Sequence, residues 1–337
     1  MRKGEIEVIV SRELYNLLGH KIEVHITVKG APEPEKAQDG GDMLSFMQQI
    51  IDEKNADKKF RTAETYRTTL QRWHDFIGIS QPTIGWERIT PQLMEAFAEY
   101  LQNRGVTKNT QSFYFRILRA VCNRAIREGI LLPDGLFKEV YTGKAKTRKR
   151  AVALDDIRKI ATARPDNESE RLARDLFVFS FITRGMALID IAHLKHANIV
   201  GDKLAYIRHK SGQPVSMEWM PEMRRIVDRY ADPHRAFLFP LIKTDNAEGW
   251  EEYKRSSQTI NYHLHKLGKR LDFPVTLTLY VARHSWATIA KSSGVPTAWI
   301  SDAMGHSSEK MTQIYLDSID AGRIDKANRD IISQLFR

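Results

Sequence analysis

Apolar positions recur with a helical period of three to four residues over most of this chain, and with a period of two in only a few short stretches. Between Met43 and Phe137 the spacing predicts helices throughout. Phe46, Met47, Ile50 and Ile51 share one face, as do Tyr66, Leu70, Trp73 and Ile77 in the next segment. Thr90 followed by Pro91 marks a helix start that Leu93, Met94, Phe97 and Leu101 continue. Thr107 opens a long helix carrying Thr110, Phe113, Ile117, Val121 and Cys122, with Arg116, Arg119, Arg124 and Arg127 interspersed. Amphipathic helices of this length pack as a compact bundle.

The flanks read differently. Ile6, Val8 and Val10, then Ile22, Val24, Ile26 and Val28, alternate as half-buried strands do, with Ser11 to Leu17 as a short helix between them. Gly30 to Asp42 is a Pro-, Gly- and charge-rich linker. After the bundle, Tyr141 to Arg150 carries Lys144, Lys146, Arg148, Lys149 and Arg150 and no acid. That run is either a plain tether or a strap lying across phosphates. From Ala151 a larger domain begins, with Leu154-Asp155-Asp156-Ile157 as a capped helix start. It is helical apart from one hairpin, in which Leu204, Tyr206 and Arg208 alternate, Lys210 to Gln213 turn, and Val215, Met217 and Trp219 alternate back. Lys210 therefore stands at an exposed tip. The expected division is residues 1–42 as a small β-containing segment and linker of unassigned role, 43–140 as the helical bundle, 141–150 as the basic linker, and 151–337 as the second domain.

Composition narrows the function classes. A chain of 337 residues accommodates two domains and a core large enough to need no disulfide or metal staple. No run of about 18 apolar residues is present, which excludes a membrane-spanning helix, and the N-terminus lacks a signal core. The single cysteine, Cys122, excludes a disulfide framework and suits a reducing cytoplasm. Lys and Arg total 52 against 42 acids, and the net charge of +10 favours a polyanionic partner, nucleic acid before anionic membrane.

Three clusters in the second domain carry chemistry. One is Thr183-Arg184-Gly185-Met186-Ala187-Leu188-Ile189-Asp190, where an arginine ends an apolar segment, an expensive place for a purely structural charge. The second is Leu279-Tyr280-Val281-Ala282-Arg283-His284-Ser285, and the third is Met304-Gly305-His306 with Tyr315 nine residues after the histidine. Arginines offer planar forks to phosphate oxygens, lysine a point charge or a proton, tyrosine a nucleophile. These residue types together suit a phosphate-centred site.

On those motifs the chain resembles the tyrosine recombinases, or phage-type integrases, with the branch common in Bacteroidetes mobile elements and DNA invertases as the nearest match. The resemblance runs from about Met43 to the C-terminus. It implies a mainly α protein with the DNA breaking-rejoining fold: a helical, SAM-like core-binding domain, then a mostly helical catalytic domain with a small antiparallel β-hairpin or sheet. It also implies roles. Tyr315 is the expected nucleophile, Lys210 the donor to the leaving 5′ oxygen, Arg283 the second catalytic arginine, and His306 a hydrogen-bond donor to the phosphate. No cofactor, metal or ATP is expected. The partner is double-stranded DNA at attachment or inverted-repeat sites, without a membrane. The protein is expected to be a monomer in solution and a homotetramer on synapsed DNA, in a bacterial cytoplasm. Lys108, Arg116, Arg119, Lys144, Lys146, Arg148, Lys149 and Arg150 are the candidate DNA contacts.

The sequence departs from the family pattern at two points. Tyr280 stands where a histidine is usual, and Ala187 stands where the first arginine is usual. Arg184 is taken as the replacement, on the argument that in a helix residues 184 and 187 share a face. Two other readings stay open: a type IB topoisomerase-like enzyme with similar chemistry, and a catalytically inactive DNA-binding regulator. Asp190 reads as a supporting acid, the pairs His193/His196 and His263/His265 as ordinary histidines rather than metal ligands, and Trp286, Trp299 and Met304 as core. Ile324, Ala327, Ile331 and Leu335 form an apolar stripe on the C-terminal tail, expected to dock on a neighbouring protomer.

Overall fold

A computed structural model of the chain describes residues 41–78, 83–145 and 150–305. The strand-like stretches before residue 30, Lys146, Arg148, Lys149, His306, Tyr315 and the apolar tail lie outside these residues.

The bundle begins where Asp42 caps the first helix, its carboxylate accepting from the Leu44 and Ser45 amides at 2.9 and 3.2 Å. Helix α1 (Met43–Ala56) buries the expected face and pairs with α2 (Phe60–Ile77). Thr90 caps α3 (Pro91–Asn103) through the Leu93 amide at 3.2 Å, with Pro91 at the first helical position. Helix α4 (Lys108–Arg127) follows Thr107 as expected, but its buried face is Phe115, Leu118, Val121, Cys122 and Ala125, with Phe113 and Ile117 only half-buried. The four helices close on an aromatic centre, Trp73 and Phe115 each meeting Phe97 edge-on at 4.8 and 5.6 Å.

The first residues of the basic linker are not free chain. Asn109 on α4 exchanges two hydrogen bonds with the Ala145 backbone (3.0 and 2.8 Å), and the Ser112 hydroxyl donates to Gly143 O at 2.6 Å. This straps residues 143–145 along α4 and leaves Lys144 exposed.

A second, separate core gathers between Val152 and Ala282. Its centre is α6 (Glu168–Ile182), against which α5 (Leu154–Thr162), α8 (Pro221–Asp228), α9 (Ala247–Arg270) and α10 (Leu279–Ser292) pack. Phe177, Phe179, Phe239 and Leu264 are fully buried there. The short α7 (Leu188–Ala192) lies against α9, and α11 (Thr297–Ala303) against α10. The hairpin is strands β2 (Lys203–Ile207) and β3 (Pro214–Glu218), registered Leu204 opposite Met217 and Tyr206 opposite Val215. A two-residue strand absent from the sequence reading, β1 (Ile199–Val200), adds to β2 to make an antiparallel sheet of order β1-β2-β3. The two cores are linked by an ion pair, Lys254 on α9 to Glu64 on α2 at 3.5 Å. Among the described residues no helix is long and apolar enough to cross a membrane.

One glycine fixes the start of α9. A Cβ on Gly249 would stand 1.8 Å from the Thr244 carbonyl oxygen, a backbone atom that cannot swing aside. Gly249→Ala is therefore expected to cost about 1–3 kcal/mol through overpacking, read as a lower urea midpoint at unchanged slope.

Candidate active site

Helix α6 ends in a Schellman turn: the Gly185 amide donates to Ser180 O at 2.8 Å and the Arg184 amide to Phe181 O at 3.2 Å. This arrangement puts position 184 in the left-handed region, and Arg184 occupies it at φ 60° where glycine is the usual occupant. Ser180 and Thr183 lock the turn from inside, donating to Met186 O (2.7 Å) and Phe179 O (2.6 Å). The outcome corrects the helical premise of the sequence reading. The helix stops at Ile182, residues 184 and 185 turn with positive φ, and Ala187 is the extended N-cap of α7. Arg184 and Ala187 do not share a helix face. Arg184 instead lies toward β3, its Nη1 3.4 Å from Ser216 O.

Arg283 is 4% exposed and joins two turns far apart in sequence. Its Nη1 donates to Gly185 O and its Nη2 to Met304 O at 2.9 Å. The approach is close enough that a Cβ on Gly185 would come within 2.9 Å of Arg283 Cγ, which with its φ of 76° reserves the position for glycine. From the other side the hairpin reaches the same loop. Arg208 donates to Gly305 O, and Ser211 Oγ adds a second bond to that carbonyl at 3.0 Å. Lys210, between them in the turn, is exposed.

Asp190 on α7 is 5% exposed and accepts from the His209 amide at 2.8 Å, tying α7 to the hairpin turn. Burial raises its pKa, while the bond from His209 and the charges of Arg208, His209 and Arg283 pull the other way. Asp190 thus spends its carboxylate on the hairpin rather than on an ion pair with Arg184. Tyr280, on the first turn of α10, is half exposed, its ring edge-on to His284 at 4.6 Å. Arg283 and the Lys210 hairpin therefore meet at the turn Met304–Gly305, the residues that immediately precede His306, and Arg283 ties the Gly185 carbonyl next to Arg184 to the same turn.

Residues 151–321, just over half the chain, match the phage integrase family, and residues 42–139 match the phage integrase SAM-like domain. The chain belongs to the phage integrase family. Tyrosine recombinase XerA of Thermococcus onnurineus (strain NA1) is 25% identical over 173 residues, 50% of this chain and 58% of that relative, so the chain spans less than two thirds of XerA. Solved structures share the integrase fold. A lambda integrase dimer bound to a COC′ core site aligns over 87% of this chain and 85% of its own, at a TM-score of 0.60 and 16% identity. The Tn1549 transposon integrase in complex with transposon right end DNA aligns over 87% and 99%, at 0.62 and 14%.

Within this integrase chain the other candidates separate by what holds them. Lys108, Arg116, Lys144 and Arg150 are exposed. Arg119 is turned onto the protein, donating to Phe137 O at 3.3 Å with its guanidinium 5.2 Å from the Phe137 ring. Arg124 is held by Glu53 at 2.5 Å and Glu128 at 2.8 Å. Met304 is buried and Trp286 packs partly against it, but Trp299, expected in the core, is 67% exposed. His193 donates from Nδ1 to Ile189 O at 2.8 Å and meets Asp245 at 3.3 Å through Nε2. No cluster of three His, Cys, Asp or Glu with metal-holding geometry occurs among the described residues.

Arg208 and Ser211 are the residues the sequence reading passed over. The signal was present for Arg208: it continues the inward-facing parity of Leu204 and Tyr206, where a charge is costly unless it is bonded.

Proposed function

We propose that this integrase-family chain is a site-specific DNA recombinase that cuts and rejoins DNA through a 3′-phosphotyrosyl intermediate. The observation that carries the reading is the bracing of Arg283 between Gly185 O and Met304 O, which draws the Arg184 turn and the loop leading to His306 to one side of a single guanidinium. In the proposed reaction the Tyr315 hydroxyl gives up its proton to solvent as its oxygen attacks a backbone phosphorus, and the bond to the 5′ oxygen breaks. Lys210 supplies the proton that this oxygen takes up, while Arg184, Arg283 and His306 stabilise the charge on the non-bridging oxygens. Two guanidiniums provide the charge stabilisation that a divalent ion provides in other phosphoryl-transfer sites. The phosphotyrosine retains the bond energy, so attack by another 5′-hydroxyl reseals the strand without ATP. Tyr280 contributes a hydroxyl beside the same phosphate.

The substrate is double-stranded DNA, gripped by the bundle (43–140), the linker (141–150) and the catalytic domain (151–337). Strand exchange takes place in a homotetramer that assembles on synapsed sites from monomers, with the C-terminal stripe docked on the neighbouring protomer. The setting is a bacterial cytoplasm, and the branch is that of Bacteroidetes mobile elements.

The test is incubation with nicked attachment-site DNA. A covalent protein–DNA adduct followed by exchanged products supports the recombinase. An adduct without exchange, together with relaxation of a separate intact supercoiled plasmid, identifies a topoisomerase-like enzyme, and binding without an adduct identifies a regulator. A second expectation concerns the grip. With about 6–10 phosphates neutralised, affinity falls roughly 10³–10⁵-fold between 50 and 200 mM salt. Replacing Lys144, Lys146, Arg148, Lys149 and Arg150 by serine is expected to flatten the log–log salt slope by about 0.9 for each phosphate no longer neutralised, with sequence preference retained. An unchanged slope in a filter-binding titration would make the run a tether.

A further inference from the structure

We infer that Arg208 is a positioning residue that holds the Lys210 hairpin in register with the catalytic loop; this rests on the reading of Lys210 as proton donor. A lysine on a turn is poorly placed for this work by default. Its ammonium must come within hydrogen-bond reach of the departing oxygen, and an offset of about 1 Å can cost 10²-fold in rate.

The hairpin is anchored on both sides of Lys210. Arg208 is 5% exposed, and its guanidinium donates to Gly305 O. The His209 amide donates to the buried Asp190 carboxylate at 2.8 Å. The Ser211 hydroxyl donates to Gly305 O at 3.0 Å. The turn is closed by its own backbone, Arg208 N to Gln213 O and Gly212 N to Arg208 O, both 2.8 Å. Positions 208, 209 and 211 are therefore each tied to the body of the domain, and the exposed Lys210 stands between them on a fixed base.

Gly305 is shaped for this grip. Its φ is 62°, and a Cβ there would lie 2.9 Å from Arg208 Cδ and 3.0 Å from Val215 Cγ2. Its carbonyl accepts from two hairpin side chains, while the carbonyl of Met304 before it accepts from Arg283. Two arginines thus hold adjacent peptide groups of one turn: Arg283 sets that turn against Arg184, and Arg208 sets it against Lys210. Removing Arg208 leaves the Arg283 anchor in place and loosens only the lysine side. This asymmetry makes the role testable, because the two sides serve different atoms of the reaction.

The experiment compares two nicked DNA substrates, one with an ordinary phosphodiester at the scissile position and one with sulfur in place of the 5′ bridging oxygen. In the second, the P–S bond breaks and the sulfur leaves as a thiolate, which at a thiol pKa near 8.5 needs far less help from a proton donor than an alkoxide. Arg208→Ala is expected to slow adduct formation on the phosphodiester on the order of 10–100-fold, and to cleave the sulfur substrate within a few-fold of the parent protein. Arg208→Lys is expected to recover part of the phosphodiester rate. Ser211→Ala, a smaller change at a partly exposed position, is expected to show the same split at about 3–10-fold, which keeps the idea testable should the buried substitution fold poorly. Equal losses on both substrates, or no loss on either, would overturn the positioning role. A parent protein that forms no adduct with either substrate would instead overturn the recombinase reading, and the inference with it.

Discussion

Tyr315→Phe is expected to abolish the covalent adduct, lowering its rate by on the order of 10⁴-fold or more, while attachment-site binding stays within a few-fold. The substitution removes one oxygen and almost no volume, so a change in binding or folding is not anticipated. The expectation comes from spacing, since Tyr315 lies nine residues beyond His306, and from the bracing of Met304 and Gly305 just before it. A competing nucleophile is available for comparison. Tyr280 is half exposed on α10 with its ring against His284, in the position where the family usually places a histidine. If Tyr280 only offers a hydrogen bond, Tyr280→Phe loses about 1 kcal/mol of interaction, roughly a five-fold effect. Adduct formation by Tyr315→Phe together with its loss in Tyr280→Phe would reverse the two roles.

Helices α1 and α3 are legible in the sequence because each carries one dominant apolar stripe and a capped start. The N-caps Asp42 and Thr90 and the Thr107 start fall where composition changes. Helix α4 is less legible because it offers two stripes. Phe113 and Ile117 compete with Phe115, Leu118 and Cys122, and only tertiary contact with Phe97 decides which turns inward. Strand β1 has two residues, too few for a period to show. Trp299 belongs to the core by residue type alone, yet it faces out from a seven-residue helix whose inward positions are filled by Ile300 and Ser301.

The candidate catalytic clusters are legible as residue types but not as geometry. Nothing in the spacing of Gly185 and Met304 shows that one guanidinium bonds both their carbonyls. The helical reading of 184–187 fails for a local reason. Three hydroxyl and amide bonds, from Ser180, Thr183 and the Gly185 amide, close α6 with a capping turn that no apolar period records.

That turn makes Arg184→Gly the more informative substitution at the displaced arginine. A non-glycine residue in the left-handed region costs about 1–2 kcal/mol, and the surrounding Schellman bonds are those that ordinarily go with glycine. Glycine gives back roughly 0.5–1 kcal/mol through the entropy of the unfolded chain, so Arg184→Gly is expected to leave stability unchanged or raise it by up to about 1 kcal/mol. Activity is expected to move the opposite way. A phosphoryl transition state deprived of one guanidinium loses on the order of 10²–10³ in rate, by analogy with removal of one oxyanion-hole donor. A protein as stable as its parent and much slower at cleavage would mean that strain at position 184 is retained for the arginine's charge. Restoring an arginine by Ala187→Arg in that background separates this from damage to the turn. Position 187 is the extended N-cap of α7, where the family's first arginine is expected, and a side chain entering the same space should recover part of the rate. Arg184→Gly protein that cleaves at the parent rate would remove Arg184 from the site and leave Arg283 as the remaining arginine proposed for it.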